Sequence, residues 1–166
     1  MKIETNSIWL FLIIISIVGD VQADQEIPIL TVYSSAYCGM SKQVLERINN
    51  PLELSQVLDV ILSSEQPKPS IKIDVDYARQ SLILFALGQK PSAGFNLLLD
   101  KNKAMIRAHK LYLPIRVFEP RAGSFQAQVM TSPCQIYVIP NADFTEILLE
   151  NYSENQGIEN QGISVD

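Results

Sequence analysis

The chain has 166 residues, 47% hydrophobic and 19% charged, which suits one globular domain large enough to bury a core without metal or several disulfides. A net charge of −5 and an isoelectric point near 4.9 leave no electrostatic footprint for nucleic acid or an anionic membrane surface. One histidine, His109, has no nearby cysteine, so neither a metal site nor a cofactor is expected.

Residues 1–23 read as a secretory signal peptide. Lys2 precedes an uncharged apolar run of 11 residues, Ile8 to Val18, and Val21-Gln22-Ala23 supplies an A-x-A-like cleavage site. A membrane anchor would need about 20 apolar residues, so no stable span is expected after cleavage. Export to the periplasm or beyond follows, with one globular domain over residues 24–150. In that compartment Cys38 and Cys134 could form a disulfide closing a loop of about 95 residues, or could lie as two separate buried thiols.

Ile27 to Tyr33 is apolar and β-branched, a strand or extended arm, and Ser34 to Gly39 is a turn. Cys38-Gly39-Met40-Ser41 has no second cysteine two residues on, which argues against thioredoxin-like chemistry. Two helices are predicted next. Val44, Leu45 and Ile48 have helical spacing within 41–48. Asn50, Pro51 and Glu53 then supply an N-cap, an N1 proline and a capping-box carboxylate, ahead of a stripe of Leu54, Val57, Leu58, Ile61 and Leu62. Pro67 and Pro69 forbid continuation. Ile71, Ile73, Val75 and Tyr77 alternate with Lys72, Asp74 and Asp76, predicting a half-buried strand whose carboxylates face solvent.

Leu82 to Leu87 predicts a buried strand, Gly88 to Phe95 a shaped loop, and Asn96 to Leu99 a returning strand. A hairpin-type turn at Asp100 to Lys103 leads into β-compatible sequence as far as Val117, bent at Pro114. After a turn at Glu119 to Gly123, Phe125, Ala127 and Val129 alternate with polar residues as a further strand, and Cys134 to Ile139 supplies another. Asp143 to Leu149 fits either period. Residues 151–166, with a twice-repeated Glu-Asn-Gln-Gly-Ile, read as a disordered tail. The fold class expected is α+β, with one or two N-terminal helices packed on a mainly antiparallel sheet or sandwich.

No G-x-S-x-G, H-E-x-x-H or phosphate-cradling motif is present, so no catalytic residues are assigned and the chain reads as non-catalytic. Lys90 and Ser92 resemble a Ser–Lys pair only loosely, and a hydroxyl bonding local backbone explains Ser92 more simply. The best partner-binding surface is the loop Lys90, Pro91, Ser92, Ala93, Gly94 and Phe95. Pro91 stiffens it and Gly94 permits positive φ, while Gly94 and Phe95 could equally serve the turn and the core.

Asp76-Tyr77, the apolar strand, and Gly88-Gln89-Lys90-Pro91-Ser92-Ala93-Gly94-Phe95 resemble the C-terminal domain of the protease complex subunit PrcB family. So does the close Thr131-Ser132-Pro133-Cys134-Gln135-Ile136-Tyr137-Val138-Ile139-Pro140. Ser92-Ala93 stands where that family commonly has Thr-Gly, and Phe95 where it commonly has Tyr, so no tyrosine hydroxyl acts at that position. The resemblance implies an exported bacterial protein that binds or stabilises a secreted or envelope protease complex. Lys90 to Phe95 is also similar to a loop of chagasin-like cysteine-protease inhibitors, which makes direct protease inhibition the alternative. A small hydrolase centred on His109 is the third and weakest reading.

Overall fold

The computed structural model describes residues 23–63, 71–121, 123–150 and 163–164. At its centre runs β4 (Gln80–Leu87), with Leu82, Leu84 and Ala86 in one hydrophobic cluster and Ile83, Phe85 and Leu87 in another. Successive strand residues point to opposite faces, so only a continuous apolar run can serve a strand covered on both sides. β4 pairs antiparallel with β3 (Gln43–Ile48) on one edge and β9 (Cys134–Pro140) on the other. β2 (Leu30–Ser35) completes this four-stranded sheet, in the order β2-β9-β4-β3.

A second sheet orders β1 (Gln25–Pro28), β6 (Lys103–Arg107), β7 (Lys110–Leu113), β10 (Glu146–Leu149) and β11 (Ile163–Ser164) as β1-β6-β7-β10-β11. Its β7–β10 ladder is parallel and its other ladders are antiparallel. β5 (Asn96–Leu99) and β8 (Ile115–Phe118) form a separate antiparallel pair. Ile27, Ile106, Leu111, Leu113, Ile115 and Ile147 join Ile83, Phe85 and Tyr137 in the larger core cluster. On the opposite face of the four-stranded sheet, Leu54 and Ile61 of helix α1 (Pro51–Ser63) join Ile48, Leu82, Leu84 and Ile136.

The protein is therefore β-rich and mostly antiparallel, with a single helix among the described residues. α1 begins as its sequence predicts. Asn50 Oδ1 accepts the amides of Leu52 and Glu53 at 3.1 and 3.0 Å, and Glu53 Oε2 reaches back to the Asn49 amide at 2.7 Å. The other predicted helix, over 41–48, is absent, and Gln43–Ile48 form strand β3 instead. An isolated eight-residue helix is marginal in water, whereas β3 satisfies the free edge of β4 over six residue pairs. Val44 and Ile48 face the helix side, Leu45 the other side.

Four further expectations are corrected. Residues 71–76 keep the predicted alternation of half-buried and exposed side chains, with Ile73 and Val75 against the helix-side cluster, but they enter no ladder. Residues 124–130 are not a strand, and Phe125, Ala127 and Val129 are all exposed. Asn96–Leu99 does not return against β4, whose two edges are already taken by β3 and β9, so β5 crosses to pair with β8. For the same reason Asp100 to Lys103 joins strands of different sheets rather than a hairpin; the true tight hairpin is β6–β7, turned by Ala108 and His109 at φ 46° and 60°. Pro114 does mark the bend between β7 and β8, and its carbonyl accepts the Asp100 amide at 2.9 Å. The predicted signal peptide lies outside the described residues but for Ala23, as does the predicted tail apart from Ile163–Ser164.

Candidate functional site

The loop after β4 is held at both ends and along its length. Gly88, at φ 71°, makes the first turn, and a Cβ there would stand 2.7 Å from the Lys42 carbonyl carbon, so only glycine fits without backbone movement. The Gln89 amide donates to the Ser41 carbonyl at 3.3 Å. Lys90 and Thr131 exchange both backbone hydrogen bonds, at 2.8 and 3.0 Å. The buried Thr131 hydroxyl donates to the Ser92 carbonyl at 3.1 Å, and the Ala93 amide donates to the Ala127 carbonyl at 3.0 Å. Gly94 sits at φ 102° with Gln126 directly over its α-carbon.

Within this clamp the six residues divide. Pro91 and Gly94 are exposed, Lys90, Ser92 and Ala93 half-buried, and Phe95 packs partly against the larger core cluster. The Lys90 ammonium lies 5.4 Å from the centroid of the Phe95 ring, a cation–π contact worth about 0.5–1 kcal/mol near solvent. The hydrogen-bonded neighbour of the loop, residues 124–130, exposes Phe125 completely, with Val129 and Met130 also open. Sequence reading missed this apolar surface because alternating apolar residues signal a half-buried strand. The lack of a strand partner is visible only in three dimensions.

The other flank of the clamp is covalent. Cys38 and Cys134 form a disulfide with both residues buried and a Cα–Cα distance of 5.9 Å. Ser132 bridges the same elements. Its carbonyl accepts the Cys38 amide at 3.0 Å, its amide donates to the Ala36 carbonyl at 2.9 Å, and its hydroxyl accepts the Gly39 amide at 2.8 Å. The short stretch Thr131-Ser132-Pro133 thus ties the loop on one side to the cysteine turn on the other.

Other residues singled out in the sequence lie apart. Asp76 builds a local turn, its carboxylate accepting the Ala78 amide at 3.1 Å and its carbonyl the amides of Arg79 and Gln80. His109, in the β6–β7 turn, is about half exposed with Nδ1 3.2 Å from Asp143. Its carbonyl accepts the Thr145 amide at 2.8 Å, which makes that residue a link to the β10 lead-in. Among the described residues no group of histidine, cysteine, aspartate or glutamate side chains could hold a metal ion. No helix among them is long and apolar enough to cross a membrane.

Both ends of the clamped region lie on paired central strands, since Ser81 stands opposite Ile139 and Gln80 opposite Pro140. Residues 81–140 match the PrcB C-terminal family model. The resemblance carried by the loop and by the Thr131 to Pro140 close is thereby shown over that segment. The PrcB-like segment runs from β4 to β9 and includes the loop, the exposed 124–130 stretch and Cys134, while β3 and α1 lie outside it. No curated protein and no solved structure matches the chain.

Proposed function

We propose that the protein is an exported, non-catalytic binding subunit that associates with a protease complex through the loop Lys90 to Phe95 and the adjoining 124–130 stretch. The observation carrying this reading is a loop clamped by hydrogen bonds to a segment that leaves Phe125, Val129 and Met130 in solvent, inside the PrcB-like segment. Exposed apolar side chains grouped on one segment are a common mark of protein contact. A pre-ordered loop also loses little conformational entropy on binding. The buried disulfide and the apolar N-terminal run support a periplasmic or secreted location.

Photocrosslinkers placed at Ser92 and Phe125, with one at exposed Lys72 as control, test the surface in the producing cells. Capture of a secreted protease from the first two positions, reduced by Phe125→Ser, is the expected result. Equal capture from Lys72, or capture unaffected by Phe125→Ser, rejects this surface. Stoichiometric inhibition of a papain-like protease by the purified protein, lost in Pro91→Ala and Phe125→Ser, would favour the inhibitor reading instead.

A further inference from the structure

The chain carries a second recognition feature, outside the PrcB-like segment. β3 is an edge strand of the four-stranded sheet, with β4 on one side and, among the described residues, no strand on the other. An edge strand directs half of its amides and carbonyls away from its partner, where they can template a further strand. Beside this edge lies a groove of about 580 Å³ between β3 and α1. Met40, Val44, Val57 and Val60 give it an apolar wall, and Glu46 and Glu53 supply carboxylates.

Lys42 and Arg47 line the groove as well, yet neither forms an ion pair with Glu46. Glu46 is half-buried on the helix-facing side, and among the described residues no cation pairs with it and no donor bonds it. Burial and the nearby Glu53 carboxylate both push its carboxyl above the ordinary value. Glu53 is committed to the helix cap, accepting from the Asn49 amide and the Asn50 side-chain amide. Arg47, the neighbouring cation, is engaged on the opposite face. Its guanidinium donates to Ser81 Oγ at 3.1 Å and the Ala142 carbonyl at 3.4 Å, and lies 4.5 Å from the Phe144 ring centroid.

We propose that the β3 edge and the β3–α1 groove take an extended peptide segment of a partner protein, added as a fifth strand. The segment places a lysine or arginine against Glu46 and aliphatic side chains two residues to either side. Strand addition beside a helix uses main-chain hydrogen bonds for affinity and alternate side-chain pockets for selection. A basic side chain supplies what Glu46 lacks, and Val44 of β3 with Val57 and Val60 of α1 offers apolar contact to its aliphatic neighbours. The Met40–Lys42 end of the groove adjoins the loop base, where the Gln89 amide meets the Ser41 carbonyl. This proposal stands independently of the loop reading.

The test uses the purified protein and the blocked peptide Thr-Val-Thr-Lys-Thr-Val-Thr, followed by amide chemical shifts and titration. Shifts are expected along β3 and the facing turns of α1. Replacing the peptide lysine by glutamate should abolish them, as should N-methylation of its alternate amides. Glu46→Gln should weaken binding about tenfold, the scale of a lost charge-assisted hydrogen bond. Val60→Arg, which fills the groove mouth at an exposed position, should eliminate binding while the protein stays folded. Phe125→Ser should leave binding unchanged, which separates the groove from the loop surface. Absence of shifts at millimolar peptide, equal binding of the lysine and glutamate peptides, or binding undiminished in Val60→Arg would each overturn the proposal. Self-association of Glu46→Gln without peptide binding would overturn it too, assigning Glu46 to guarding the edge against pairing.

Discussion

Tyr77 and Tyr137 carry the same hydroxyl into opposite surroundings. Tyr137 is fully buried, and its hydroxyl donates to Gln135 Oε1 at 2.6 Å. The Gln135 amide in turn donates to the Leu97 carbonyl at 2.9 Å and Ser34 Oγ at 3.2 Å, so a chain of bonds running from the core to the surface ties β9 to β5 and β2. Burial pushes the Tyr137 phenol well above its ordinary value and keeps it a neutral donor. The Tyr77 hydroxyl is also shielded from solvent, yet among the described residues nothing bonds it. Tyr137→Phe strands a buried acceptor and should lower unfolding stability by about 1–3 kcal/mol. Tyr77→Phe should leave stability unchanged or raise it by up to about 1 kcal/mol. Urea midpoints of the two variants separate these outcomes, and equal losses would contradict the bonding described.

At the scale of elements, β3 and α1 meet with two carboxylates between them. Glu46 holds its proton to higher pH in the folded protein than the ordinary value near 4.5, because of burial and then Glu53. The folded state therefore binds more protons than the unfolded chain just above that value, and Glu46's contribution to stability falls as pH rises through the folded value. Glu46→Gln removes this penalty. The variant should unfold at a higher temperature than the parent at pH 7, with the difference shrinking toward pH 4. A gap that does not change on acidification would contradict the raised Glu46 carboxyl, and a variant less stable than the parent at pH 7 would show that Glu46 is paired in solution. A residue that costs stability where it stands is consistent with selection for contact rather than for folding.

For the molecule as a whole, the Cys38–Cys134 bridge spans a sequence separation of 96 and joins the turn before β3 to the start of β9. Cross-linking a loop of that length removes unfolded-chain entropy worth roughly 4–5 kcal/mol in the loop-closure model. The double variant Cys38→Ser, Cys134→Ser should lose about 2–5 kcal/mol by denaturant titration. Both cysteines are buried, so the native protein should resist mild reductant and yield its thiols only on unfolding. Rapid reduction of the folded protein would contradict that burial.

Local chemistry by itself determined the features that a few adjacent residues can specify. The cap and face of α1 follow from Asn50, Pro51, Glu53 and the apolar stripe, and buried β4 follows from an unbroken apolar run between punctuating residues. The loop at Gly88 to Phe95 and the family motifs were legible for the same reason. Tertiary structure decided what depends on a partner distant in the chain. Within 41–48, Gln43–Ile48 became a strand because β4 had an edge to satisfy, and 71–76 stayed unpaired although their side chains alternate. Residues 124–130 kept a strand-like pattern with no strand to meet. Hydrophobic period reports which side chains are sheltered, whereas a ladder also needs a free row of amides and carbonyls on another segment. The choice between a disulfide and two separate thiols was of the same kind, settled only when the fold brought Cys38 beside Cys134.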